Sequence, residues 1–301
     1  MEPHQAICWK DHYLREPGHV VLTQAELQIP GIRTFGWLDM KGATPALKSH
    51  YHQNCFELTF VTKGCVTFCS DGREYAVYGG DAFLTRPNEI HSTNEAPLAV
   101  GQICWIQLDV SNLAEFLFLS RAAAEDLVAQ LHQVRHPCIR TDNGQATYML
   151  KTLISGAFGD HAVCSRYELA SYIAVYLRQV LRFADADGAR VSMDITRICE
   201  YIDQNLSEPL PLEELASVGH LSVSQFKHKF KSQIGLSPRN YVNRQKIDHI
   251  KQLLTPDSIL TRIASDFGFC NSSYFSVVFK KYTGLTPTEY IASLPAETPG
   301  K

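Results

Sequence analysis

Seven basic side chains fall within residues 221–251 (Lys227, Lys229, Lys231, Arg239, Arg244, Lys246 and Lys251), against one acid, Asp248. Ammonium and guanidinium groups at that density neutralise phosphate, so the stretch suits a polyanionic partner. The bias is local. Residues 1–189 carry 15 Lys+Arg and 20 Asp+Glu, residues 190–301 carry 13 and 11, and together they give the net charge of −3. A positive face on an otherwise acidic protein is the electrostatic footprint of a nucleic-acid reader.

Thiols are the other reactive groups the sequence offers in number. Cys8, Cys55, Cys65, Cys69, Cys104, Cys138, Cys164, Cys199 and Cys270 are odd in count, scattered, and include no Cys-x-x-Cys. That pattern fits reduced thiols rather than a disulfide framework or zinc finger. Cys65 and Cys69, four apart on a strand, would share a face and are the nearest candidates for a redox-sensing pair.

The basic stretch lies inside an internal repeat. One copy runs Leu215-Ala216-x3-His220-Leu221-Ser222-x3-Phe226-x3-Phe230-Lys231-x3-Gly235-Leu236-Ser237-Pro238-x2-Tyr241. The other runs Ile263-Ala264-x3-Gly268-Phe269-Cys270-x4-Phe275-x3-Phe279-Lys280-x3-Gly284-Leu285-Thr286-Pro287-x2-Tyr290. The offset is 48 residues before the turn and 49 after it, so the second turn is one residue longer. Each copy reads as two helices crossing at a small Ala, with a left-handed turn residue, Gly268 or His220, between them. Ser222 with Gln225, and Thr286 with Glu289, have capping-box spacing. Phenylalanines four apart bury one face of the second helix and leave the opposite face free to enter a groove. Between the copies, Pro238–Leu254 predicts a helix of about 25 Å, able to hold two recognition helices about one DNA turn apart.

Upstream, residues 35–110 read as short alternating strands broken by Lys63-Gly64, Asp71-Gly72 and Gly79-Gly80-Asp81, a small barrel or sandwich. From about residue 111 the period becomes helical: Leu113/Phe116/Leu117, then Leu127/Val128/Leu131. Leu169, Tyr172, Ile173, Tyr176, Leu177, Val180 and Leu181 then form one broad stripe, suited either to packing on the barrel or to dimerisation. Asp185–Ala189 is small and polar and is assigned as a linker. The fold class expected is multidomain α+β: a β-barrel over 1–112, a helical linker and dimerisation segment over 113–189, and an all-α domain with two helix-turn-helix units over 190–301. The length of 301 residues suits about two domains. Met1-Glu2-Pro3-His4 has no basic-then-apolar pattern, and no apolar run approaches the ~18 residues of a membrane span. Neither a leader nor membrane association is expected, and the location expected is cytoplasmic.

Over about residues 195–292 the chain resembles the AraC/XylS family of bacterial transcription regulators. Ile263-Ala264-Ser265-Asp266-Phe267-Gly268-Phe269, then Ser273-Tyr274-Phe275, Phe279-Lys280-Lys281, Gly284 and Thr286-Pro287 are similar to that family's signature. The resemblance implies recognition helices that enter the major groove of double-stranded DNA. Ser224, Lys227 and His228 would read bases from the first unit, with Asn271, Ser273 and Ser276 contributing from the second. Lys231, Lys280 and Lys281 would hold phosphates. His228 and Val277 stand where the family often carries Arg, and Val277 can offer a base only apolar contact. The resemblance also implies a homodimer and activation through RNA polymerase.

His50-x-His52-x4-Glu57-x6-Gly64, then Gly80-x6-Pro87-x3-His91-x2-Asn94, is similar to the two cupin motifs. In metal-binding cupins the matching His50, His52, Glu57 and His91 are the ligands, a set suited to a divalent transition metal with open positions. His50 and His52 share strand parity and Glu57 does not, so a bend or bulge near Gln53-Asn54 is expected. In sensor barrels the same side chains would instead line an effector pocket without metal. Trp37, Tyr51 and Trp105 could stack on a sugar or aromatic effector, or pack a core. The reading is a non-enzymatic, effector-controlled regulator. A metal-dependent cupin enzyme with a DNA-binding tail, or a thiol-redox-controlled regulator, are the alternatives.

Overall fold

A computed structural model of the chain describes residues 6–94, 97–141, 152–155, 157–158, 165–185 and 192–294. Most of the assigned linker, and Cys164, lie outside the described residues. The chain divides into two compact units. One comprises Met1–Met40, Ala46–Ala96 and Gly101–Arg190; the other comprises Lys41–Pro45, Pro97–Val100 and Val191–Lys301.

The first unit holds twelve strands among its described residues: β1 (Ile7–Cys8), β2 (Leu14–Glu16), β3 (His19–Thr23), β4 (Ile32–Met40), β5 (His50–Tyr51), β6 (Cys55–Lys63), β7 (Cys65–Ser70), β8 (Arg73–Tyr78), β9 (Asp81–Thr85), β10 (His91–Ser92), β11 (Gly101–Asp109) and β12 (Cys138–Arg140). They form a five-stranded sheet, β1-β5-β10-β7-β8, and a seven-stranded sheet, β12-β9-β6-β11-β4-β3-β2. Asp71 and Gly72, both at positive φ, join β7 to β8 in the tight turn that a twisted hairpin favours. Strands before residue 35, and β12 after the helical segment begins, extend the barrel beyond the span that alternation alone marks out.

Strand alternation assigns the faces of the larger sheet. Phe56, Leu58 and Phe60 of β6, with Cys104, Ile106 and Leu108 of β11, enter one core with Leu127, Val128 and Leu131 from helix Arg121–Gln133. Helix Arg166–Asp185 covers the same face, with Leu169, Ile173, Tyr176, Leu177, Val180 and Leu181 buried and Tyr176 edge-on to Phe60. Tyr172, grouped with that stripe on sequence, is 41% exposed and belongs to the outer face with Val175. The helix expected through Leu113, Phe116 and Leu117 is a single 3₁₀ turn, Phe116–Phe118, because Leu117 has left-handed backbone; Phe116 presses over Gly31 instead. Cys65 and Cys69 stand near opposite ends of β7. Four residues of strand separate them by about 13 Å, beyond disulfide reach, so the proposed pair cannot bridge in this fold.

The second unit is helical and keeps the repeat's 48-residue offset in its hydrogen bonds. Leu221 N–H donates to the Ala216 carbonyl and His220 N–H to Ser217; Phe269 N–H donates to Ala264 and Gly268 N–H to Ser265, each at 2.9 Å. His220 (φ 55) and Gly268 (φ 67) are both left-handed, as the turn requires. The ring geometry repeats at offset 49. Phe230 is edge-on to Phe226 and Tyr241, and Phe279 to Phe275 and Tyr290, with centroids 5.3–5.6 Å apart. Ser237 and Thr286 cap helices that begin with Pro, and the connecting helix Pro238–Leu253 has 16 residues, about 24 Å.

Candidate functional site

Three imidazoles meet inside the barrel. His91 of β10 pairs in register with His50 of β5, and His52 follows directly after β5. Candidate ligand atoms of the three lie within 4.8 Å of one another, and all three residues are buried. Each Nδ1 faces a backbone carbonyl: His50 that of Lys48 (2.6 Å), His52 that of Trp9 (3.3 Å), His91 that of Glu89 (3.1 Å). A carbonyl only accepts, so Nδ1 carries the proton in each ring and Nε2 is left for the interior.

Glu57 joins from the other sheet. The parity mismatch is resolved by a turn with left-handed Asn54, where the chain leaves β5 and enters β6, rather than by a bulge within one strand. Its Oε2 lies 3.0 Å from His52 Nε2, and its Oε1 lies 3.5 Å from His91 Nε2, too far for a good hydrogen bond. Gln107, opposite Glu57 on β11, donates from Nε2 to Glu57 Oε2 (2.9 Å) and to Asp11 Oδ2 (3.0 Å). Asp11 also accepts from Trp105 Nε1 at 3.0 Å and Trp9 Nε1 at 2.8 Å.

Burial pushes His50 down to about 4, helped by the neighbouring His91. Burial also opposes a charged His52, yet the hydrogen bond and charge of Glu57 outweigh it and hold His52 above its ordinary value. Glu57 is buried, which alone would raise its pKa; the charge of His52 and the hydrogen bond from its Nε2 keep it well below the usual range. Among the described residues, His91 Nε2 and Gln107 Oε1 are buried without a hydrogen-bond partner. An interior of unshared lone pairs beside a carboxylate accepts a cation or a ligand rich in donors. Three imidazole nitrogens with fixed tautomers and a carboxylate also fit a divalent transition metal, whose binding would release the His52 proton.

Two of the aromatic candidates lie elsewhere. Trp37 packs against the core between sheet and helices, the face of β4 opposite the histidines. Tyr51 follows His50 on β5, and alternation turns it to the other face. Trp9, Asp11 and Gln107 belong to the site and were not anticipated, because no local pattern links an N-terminal Asp to residue 107.

In the second unit, helix Val223–Ile234 is capped by Ser222, with the Gln225 side chain returning to the Ser222 backbone. Ser224, Lys227, His228 and Lys231 are exposed along one stripe, opposite buried Phe226, Phe230 and Ile234. On the matching helix, Ser272–Thr283, Ser273 and Lys280 are exposed and Val277 is 68% exposed. Asn271 and Ser276, expected to reach bases, also bond locally. Asn271 Oδ1 accepts from Tyr274 N–H at 2.7 Å as the helix cap, and Ser276 Oγ donates to the Ser272 carbonyl at 2.9 Å. Lys281 is half-buried, with Nζ 5.3 Å from the Tyr282 ring centroid.

Residues 215–293 match the family model described as a helix-turn-helix domain, and residues 36–100 match that of a cupin domain. A helix-turn-helix domain following a cupin domain is the arrangement that the resemblance to AraC/XylS regulators implies. Its relatives include the probable transcriptional regulator LumQ of Photobacterium leiognathi, 32% identical over 48% of this chain and 59% of LumQ. An uncharacterized HTH-type transcriptional regulator of Staphylococcus aureus (strain MSSA476) is 33% identical over 85% of this chain and 34% of its own length. The HTH-type transcriptional activator RhaS of Klebsiella pneumoniae (strain 342) is 23% identical over 79% of this chain and 86% of RhaS. The chain thus spans between a third and three fifths of the first two of these relatives. Among the described residues, no helix is long and apolar enough to cross a membrane.

Proposed function

We propose that this chain is a cytoplasmic, sequence-specific DNA-binding regulator of transcription, controlled by what its barrel binds. The observation that carries the reading is the paired exposed faces: two recognition helices, each fixed by the same turn and the same aromatic cluster, each turning polar and cationic side chains outward. Ser224, Lys227 and His228 read bases from the first helix, Ser273 and Val277 from the second, and Lys231, Lys280 and Lys281 hold phosphates. The chain acts by binding rather than catalysis.

The His50/His52/His91/Glu57 interior is the sensing pocket. It takes a small effector rich in hydrogen-bond donors, for which a sugar qualifies, or a divalent metal held by the three Nε2 atoms and Glu57. The outward face of helix Arg166–Asp185, with Tyr172 and Val175 exposed, supports its use as a homodimer surface. Activation through RNA polymerase is proposed on the likeness to RhaS. Selection of the full chain against a random duplex library at fixed salt tests the reading, which predicts a motif of two blocks about one turn apart. Salt-sensitive binding without any enriched sequence would refute it.

A further inference from the structure

Lys246 lies midway along helix Pro238–Leu253, in the i, i+4 stripe of Val242 and Ile250, and is only 6% exposed. Its Nζ donates to the Phe267 carbonyl at 2.8 Å and to the Glu208 carbonyl at 3.2 Å. Phe267 ends the first helix of the second helix-turn-helix unit; Glu208 lies just before helix Leu212–Val218, the first helix of the first unit. A Cβ at Gly268 would stand 3.6 Å from Nζ. Burial lowers the Lys246 pKa, while the charge of Glu208 raises it. Its two bonded partners are carbonyls, so the ammonium gives up water for two neutral acceptors where an apolar side chain would fill the space at less cost.

Two other side-chain bonds of this helix each reach a single neighbour. Gln245 Nε2 donates to Asp203 Oδ1 (2.8 Å) in helix Met193–Gln204, and Tyr282 O–H in the second recognition helix donates to the Asn240 carbonyl (3.0 Å). Lys246 bonds to both units from one atom. We propose that Lys246 is a positioning residue for DNA readout, locking the two helix-turn-helix units to the connecting helix and thereby setting the spacing between the two sequence blocks. The inference rests on the DNA-binding reading above.

The test uses the full chain, the two-block duplex that the wild-type chain selects, the same duplex with one to three base pairs inserted between the blocks, and a duplex with the first block alone. Lys246→Met is expected to keep its helical circular dichroism and its affinity for the single block. It should lose about tenfold for the two-block duplex, a fraction of the roughly 10²–10⁴-fold gained when linked modules engage together. It should also tolerate the insertions better than wild type. Lys246→Arg, which keeps donors for both carbonyls, is expected to retain the wild-type spacing preference. A folded Lys246→Met with the wild-type spacing profile overturns the proposal, and so does unfolding of both variants, which would mark a residue of stability alone. If the wild-type chain enriches no two-block duplex, the DNA reading fails at that step and takes the inference with it.

Discussion

Replacing Lys231, Lys280 and Lys281 with Ala should flatten the salt dependence of DNA binding by an amount fixed in advance. Each phosphate neutralised by a cation contributes a slope of about −0.9 to log K against log salt. Over a fourfold rise, from about 50 to 200 mM, one such contact is worth roughly 3.5-fold in affinity, and three are worth roughly 40-fold. The triple variant is therefore expected to show a slope shallower by about 2.7, and Lys231→Ala alone by about 0.9. Lys229 supplies the control. Its Nζ is held 2.6 Å from Asp194 Oδ2, off the exposed stripe, so Lys229→Ala should leave the slope near its wild-type value. Fluorescence anisotropy with a labelled selected duplex at four or more salt concentrations reads all the slopes. The reasoning is refuted if Lys229→Ala flattens the slope as much as Lys231→Ala, or if the triple variant does not flatten it.

Three further outcomes follow from the geometry. Equilibrium dialysis of the apo chain against Co(II) should retain about one equivalent of metal if the barrel is a cation site, and His52→Ala or His91→Ala should abolish it while Trp37→Phe does not; equal retention by all variants would remove the histidines from the account. A Cβ at Gly36 would fall 2.1 Å from the Trp105 ring, so Gly36→Ala should displace Trp105 from Asp11 and destabilise the barrel by about 1–3 kcal/mol, visible as altered tryptophan emission and a lower melting temperature. Phe279 is fully buried between Phe275 and Tyr290, and Phe279→Ala should cost the helical domain about 3–5 kcal/mol in denaturant melts, against about 1 kcal/mol for Ser222→Ala at the cap of helix Val223–Ile234.

The helix-turn-helix repeat was legible because its physics is local. Caps, left-handed turn residues and aromatics four apart are each set by a few neighbouring side chains, and the second copy confirms the first. Charge counting misled where burial decides. Lys246 and Lys229 add to a basic tally but serve a carbonyl junction and an ion pair; for Lys246 the available signal was its place in the Val242/Ile250 stripe. Asn271 and Ser276 each give one local bond to a neighbouring backbone group, which spacing alone does not show. In the barrel the four motif residues came together as the cupin resemblance implies. Their supporting shell did not show, because Gln107 meets Glu57 only through sheet pairing fifty residues apart, and Asp11 reaches Gln107 from a connecting segment 96 residues away. Trp37 failed for the same reason: which face of β4 is the interior depends on which face the helices cover.

The measurement closest to the central claim is a duplex selection run in parallel with the wild-type chain and a Ser224→Ala/Lys227→Ala/His228→Ala variant. Wild type should enrich two blocks, the first the more sharply defined, and the variant should lose that block while keeping the second. Enrichment of an unchanged motif by the variant would contradict the assignment of the Val223–Ile234 helix as a DNA-reading element.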